Sequence, residues 1–332
     1  MAAVILLFAT GSRITAQIPN GYYNNANGKT GDSLKVALHD IIKGHTTISY
    51  QQIWNAFWST DNKSNGVVWD MYSDRPNGNP PYVYHLGQDQ CGSYNSEGDC
   101  YNREHSWPSS WFNDQSTPRT DLHHIFATDG YVNNRRGNLP FGEVRNATWT
   151  SQNGSKLGKC KTQGYSETVF EPIDEYKGDF ARAIMYMSVR YYSEDSGWGS
   201  SGMTNKSVIQ SWAIPMLLRW NELDPVSQKE IDRNNAIYED YQHNRNPFVD
   251  HPEYANMIWD PTWSIADHQE QNELSVTQVV VYDLTGRKVL EMNVDKEDDN
   301  NIVLNNKLKR GCYLLQYTDG TRVIKNKKLL IN

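Results

Sequence analysis

At 332 residues the chain is long enough for two domains, each burying its own core. Its 32 Lys and Arg stand against 39 Asp and Glu, a formal charge of -7, which argues against a broad basic face for nucleic acid but leaves a local phosphate site open. With 11 Trp and 20 Tyr, the composition excludes a disordered or fibrous chain.

The first residues, Val4-Ile5-Leu6-Leu7-Phe8-Ala9, form an apolar run too short to span a bilayer, and Thr15-Ala16-Gln17 follows as a cleavage-like end. Residues 1–17 therefore read as an export signal, although the usual basic start is missing; a buried N-terminal strand or helix is the alternative. Two amphipathic helices are predicted between residues 30 and 60. Leu34, Leu38, Ile41 and Ile42 mark the first, with Thr30-Gly31-Asp32 as its cap, and Ile53, Trp54, Phe57 and Trp58 mark the second. These aromatics are assigned to the core and given no chemistry. Strand-like runs follow at 66–72 and 81–86. Cys91 and Cys100 then bracket a turn-rich loop, and in an exported chain such a pair forms a disulfide. Zinc is the weaker reading, because no second close Cys or His pair completes a four-ligand set. Cys160 and Cys312 are isolated in sequence.

The densest chemistry lies between Tyr101 and Val144. Asn102-Arg103-Glu104-His105-Ser106-Trp107-Pro108 opens it, Asp121-Leu122-His123-His124 follows, and Val132-Asn133-Asn134-Arg135-Arg136-Gly137-Asn138 leads to its end. A neutral-pH base, cation ligands and fixed positive charge make up a metal-assisted hydrolytic site. Neighbours on a strand point to opposite faces, so Glu104 and His105 serve one site only if the strand ends there, and Pro108 fits such an end. Glu104 is expected to hold a hard divalent cation, His124 to add a ligand, and His105 to take a proton from water, with activity climbing through about pH 6 to 7. His123 is expected to make a structural bond. Arg103, Arg135 and Arg136 match phosphate oxygens, with Asn133, Asn134 and Asn138 as neutral donors beside them.

A polar loop is expected up to about residue 166, then helices over 174–192, 206–221 and 225–241. Arg182 and Arg190 fall off the apolar stripe and are expected to face solvent. The Pro-punctuated segment holding His243 and His251 reads as a structural loop. Beyond about Pro261 short β-branched runs alternate with turns such as Thr285-Gly286 and Asp319-Gly320, the pattern of a small all-β module.

The three central runs closely resemble the endonuclease I family, exported bacterial nucleases of the His-Me finger (ββα-metal) superfamily, over residues 20–260. The resemblance implies His105 as general base, Glu104 and His124 as ligands of one Mg²⁺-type ion, an arginine such as Arg136 on the phosphate, and products with a 5′-phosphate and a 3′-hydroxyl. Small periplasmic members carry Asn where this chain has His124, so Mn²⁺ and Ca²⁺ stay open beside Mg²⁺. Val281-Tyr282-Asp283-Leu284-Thr285-Gly286-Arg287 and Gly311-Cys312-Tyr313-Leu314-Leu315, with the basic end Lys325-Asn326-Lys327-Lys328, resemble type A sorting domains of the type IX secretion system.

The expected architecture is α+β. It comprises an export signal (1–17), a mainly helical catalytic domain built around a ββα-metal motif (18–265) and a sandwich-like all-β sorting domain (266–332). The expected partners are nucleic acid, as substrate of a monomer without a membrane anchor, and the secretion machinery that carries it to the medium or cell surface. A secreted adhesion protein and another metal-dependent hydrolase are the rivals. The two-histidine helix of a metallopeptidase is missing from the sequence.

Overall fold

Helices α1 (Gly31–Ile42) and α2 (Gln52–Thr60) form where the apolar spacing predicts them, burying Leu34, Leu38 and Ile42 in one and Ile53, Ala56 and Phe57 in the other. The computed structural model describes residues 18–63, 65–260, 262, 278–283, 287–293, 308–309, 311–318 and 323–331. The apolar start read as an export signal lies outside them. Thr30 stands at the N-cap of α1 without a side-chain cap bond; its carbonyl instead accepts from the Ser33 hydroxyl at 2.7 Å.

The segment from 66 to 86 is irregular, where strands are expected. Two isolated bridges, Asn62 to Val68 and Val67 to His85, are all the ladder it forms. Pro80 and Pro81 have no N–H to give a ladder. Val68, Met71 and Tyr72 are all buried, so the alternation of a half-exposed strand is absent.

Strands β1 (Tyr101–His105) and β2 (Ile125–Asp129) pair antiparallel, with Glu104 opposite Phe126 and His105 opposite Ile125. The connection between them carries the short helix α3 (Ser116–Arg119), and α4 (Gly130–Arg136) follows β2 without a linker. Asp129 caps α4 by accepting from the Val132 N–H at 2.7 Å, and Gly137, at φ +55°, ends it in a conformation other residues rarely adopt.

An antiparallel sheet of β3 (Val144–Thr150), β4 (Lys156–Cys160) and β5 (Thr168–Glu171) stands where a polar loop is expected. Every residue of β3 is exposed or half-buried, so it carries no buried apolar face for the sequence to announce. Helix α5 (Lys177–Arg190) is the hub of the core and is buried from Gly178 to Arg190. Arg182 and Arg190 are therefore buried, against expectation. Arg182 grips Glu230 through two hydrogen bonds of 2.6 and 2.9 Å, and Arg190 meets His45 and Glu194. Full pairing is what allows a charge into a core. A small hairpin, β6 (Thr204–Asn205) and β7 (Val208–Ile209), delays the next helix, α6, to Ile214–Leu223. Then come α7 (Gln228–Ala236), α8 (Pro247–Asp250) and α9 (Tyr254–Trp259).

The chain divides into two compact units, Met1–Pro261 and Thr262–Asn332. In the second, β8 (Gln278–Asp283), β9 (Lys288–Asn293), β10 (Gly311–Thr318) and β11 (Val323–Ile331) make one antiparallel sheet in the order β11-β10-β8-β9, with Val279, Val281, Tyr313 and Leu315 packed together. Among the described residues no second sheet faces it, and the strand expected at Asn301 to Leu304 lies outside them. The helices of the first unit, with sheets in both, put the chain in the α+β class. A disulfide joins Cys91 to Cys100, while Cys160 is buried with a free thiol.

Candidate active site

Strand β1 sends Arg103 and His105 to one face and Glu104 to the other, yet all three line one cavity of about 270 Å³, because regular pairing stops at His105. Ser106 turns the chain there; its N–H and its hydroxyl both donate to the His124 carbonyl, at 2.9 and 3.0 Å.

Glu104 is buried. Its Oε1 accepts from the Tyr72 hydroxyl at 2.8 Å and from Arg136 Nη1 at 3.0 Å. Burial pushes its carboxyl up to about 7, against the pull of Arg136 and Tyr72. The His105 imidazole is half-buried and donates from Nε2 to the Arg119 carbonyl at 3.0 Å. A carbonyl only accepts, so Nε2 carries the proton and Nδ1 holds the lone pair. Burial, then the neighbouring His124, hold the imidazole down at about 3. The ring is thus held in its neutral form near pH 7.

Arg136, expected on a phosphate, is buried and committed: Nη1 also donates to the His105 carbonyl at 2.8 Å, and Nη2 to the Ser106 carbonyl at 2.7 Å. It ties α4 to the end of β1. His124, expected as a metal ligand, is fully buried, donates from Nε2 to the Pro118 carbonyl at 2.7 Å, and is not among the cavity's lining residues. Its ring packs 5.4 Å from that of His105. His123 makes a bond from Nε2 to the Asn244 carbonyl at 3.1 Å. Asn133, Asn134 and Asn138 line the cavity with Glu104, and Asn133 Nδ2 donates to the Arg103 carbonyl at 3.3 Å. Arg135 is exposed over the Trp149 ring, outside the cavity lining. Arg103 also lines the cavity. Its guanidinium lies 3.6 Å from the Tyr50 ring centre and 4.3 Å from that of Trp54.

Among the described residues no cluster of three His, Cys, Asp or Glu could hold a metal. One carboxylate with neighbouring amide oxygens nonetheless suits a hydrated Mg²⁺-like ion, which keeps several waters and takes further ligands from substrate phosphates.

A family model of Endonuclease I matches residues 30–253, two thirds of the chain and all of this cavity. The chain belongs to the endonuclease I family. An "Extracellular ribonuclease" of Bacillus amyloliquefaciens is 42% identical over 246 residues, covering 72% of this chain and 78% of the relative. Its counterpart in Bacillus subtilis (strain 168) is 40% identical with the same coverage. An "Endonuclease-1" of Buchnera aphidicola subsp. Acyrthosiphon pisum (strain APS) is 23% identical over 131 residues, 39% of this chain and 44% of its own. Residues 264–332 match a secretion system C-terminal sorting domain, so this endonuclease I relative is a secreted protein. No helix among the described residues is long and apolar enough to cross a membrane.

Two residues of this site carry no sequence signal of their own. Arg119 is exposed, supplies the carbonyl that orients His105, and holds its guanidinium 4.6 Å from the Tyr50 ring centre. Tyr72 reaches Glu104 from 32 residues away, out of a segment that reads as a strand without chemistry. Only the pairing of β1 with β2 and the fold of the 66–86 segment bring them in.

Proposed function

We propose that this protein is a secreted, divalent-cation-dependent endonuclease that hydrolyses phosphodiester bonds of DNA and RNA with little sequence preference. The observation that carries the reading is the His105 tautomer beside the Glu104 carboxylate: Nδ1 is the free base nitrogen, and the hard oxygen donor lines the same cavity.

His105 Nδ1 takes a proton from the attacking water as its oxygen bonds to phosphorus. The bond to the 3′-oxygen breaks, that oxygen gains a proton, and the products are a 5′-phosphate and a 3′-hydroxyl. An imidazole held near 3 is a weak base, but the negative phosphate beside it raises that value as substrate binds. Glu104 and the amide oxygen of Asn133 are the donors that would hold the cation, in place of His124. When bound, the cation offsets the charge on the phosphate oxygens. Arg103 and Arg119 are the guanidinium groups for neighbouring phosphates, and Arg136 positions Glu104. With β1, β2 and α4 together carrying the site, the arrangement supports a ββα-metal motif. All the contacts are of a kind made to the backbone of nucleic acid, which carries no base sequence. Digesting end-labelled DNA and RNA tests the reading; 5′-phosphate ends are expected from both, and 3′-phosphate or cyclic ends would overturn it.

Glu104 gives a pH dependence of definite sign. Below about pH 7 it carries a proton that a cation must displace, so cation affinity is expected to rise with pH through about 7 and level off above. Calorimetric Mg²⁺ titrations at several pH values measure this. Glu104→Gln should weaken binding and flatten the profile, and a flat profile in the parent protein would remove Glu104 from the cation.

The second unit carries none of these groups, and the family match ends before it begins. A chain cut after Asp267 is therefore expected to digest nucleic acid as fast as the full chain, yet to stay out of the medium in a host with the matching secretion system. Paired assays of activity and culture supernatant check both halves. A folded but inactive truncation would make the tail part of the enzyme.

A further inference from the structure

We infer that helix α2 carries an aromatic track for unpaired nucleic acid, ending on Trp58, whose indole stacks a base of the substrate strand outside the catalytic cavity. The inference rests on the nuclease reading above. Tyr50, Trp54 and Trp58 recur every fourth residue, and on α2 the last two are neighbours on one side, about 6 Å apart along the axis.

The near end of the track is the catalytic cavity itself. Tyr50 lines it and stacks on His105 at 6.1 Å between ring centres with 19° between planes. The Arg103 guanidinium bridges Tyr50 and Trp54. A strand whose phosphate sits at His105 thus has a cation–aromatic surface leading away along α2.

The far end is a built platform. Trp58 is 51% exposed, which is unusual for so large a ring. Its inner side rests on backbone: a Cβ at Gly66 or Gly87 would come within 3.6 or 3.3 Å of the indole, and both glycines sit at positive φ, +78° and +75°. A side chain at Gly87 would press on the ring, and a Cβ at Gly66 would lie in ordinary contact with it. Outward, Trp58 opens onto a groove of about 510 Å³ that Lys63, Asn65 and Trp69 also line. The Lys63 ammonium, paired with the Asp74 carboxylate, lies 5.9 Å from the Trp69 ring centre, and its side chain is 30% exposed, so a paired cation borders the aromatic faces of the groove. Aromatic platforms interleaved with cations suit single strands, whose bases are free to stack; a duplex keeps its bases inside.

The test compares kcat/KM on a single-stranded oligonucleotide long enough to leave the cavity, on a dinucleotide, and on a duplex of the same sequence. In Trp58→Ala the advantage of the oligonucleotide over the dinucleotide should shrink roughly 5- to 150-fold, the worth of one stacked base, and the single-strand to duplex ratio should fall with it. Trp58→Phe should recover most of the advantage. Trp58→Leu, which keeps an apolar contact on Gly66 and Gly87 but has no ring face, should behave like Ala. Unchanged ratios in Trp58→Ala, or wild-type ratios in Trp58→Leu, overturn the track. A parent protein that cleaves none of the substrates overturns the nuclease reading instead.

Discussion

His105→Ala is expected to lower the rate of phosphodiester cleavage by about 10²- to 10⁴-fold without unfolding the protein, because a positioned general base contributes that much. The ring is half-buried, and the one hydrogen bond lost is to the Arg119 carbonyl, so the structural cost is small beside the catalytic one. Glu104 keeps both of its donors in the variant, so cation binding should persist with its midpoint unchanged. Circular dichroism, a Mg²⁺ titration and initial rates on one preparation separate these effects. Nicking at the parental rate would remove His105 from the chemistry.

Arg136→Ala is expected to act on stability first. The guanidinium joins Glu104 to the carbonyls of His105 and Ser106, and removing it strands a buried carboxylate. Breaking such a pair costs about 3–5 kcal/mol. For a unit of this size, that lowers the melting temperature by roughly 6–20 °C. Glu104 loses the charge that opposes its burial, so its carboxyl rises further and its grip on a cation weakens near neutral pH. Arg136→Lys, which offers one point charge in place of a planar fork, should fall between the two. A stable Arg136→Ala protein that binds every sequence equally weakly would return Arg136 to the role of a phosphate contact.

Arg136 also shows where sequence reasoning stops. Its neighbour Arg135 is chemically identical, and both sit in a run rich in amides; only the helical turn of α4 decides that Arg136 faces inward and Arg135 outward. His123 and His124 pose the same problem, because a short turn capped by Asp121 buries both rings. Helices α1 and α2 were legible because each has one buried side and one wet one, the case in which apolar spacing carries information. Helix α5, buried all round, hides its two arginines inside the core, and β3, with no buried side chain at all, leaves no periodicity to find. Cys91 and Cys100 were legible for a different reason, since the turn-rich loop between them allows close approach. Tyr72 and Arg119 reach the site through tertiary contacts that no local pattern encodes.

In the proposed mechanism water, activated at His105 beside a cation held by Glu104, cuts the phosphodiester, so no 2′-hydroxyl is required. Supercoiled plasmid DNA, which lacks that hydroxyl, tests this most directly when incubated with the protein in Mg²⁺ and again in excess EDTA. Nicking in Mg²⁺ that stops with EDTA is the result predicted. Intact plasmid in Mg²⁺, or nicking that continues undiminished in EDTA, would contradict it.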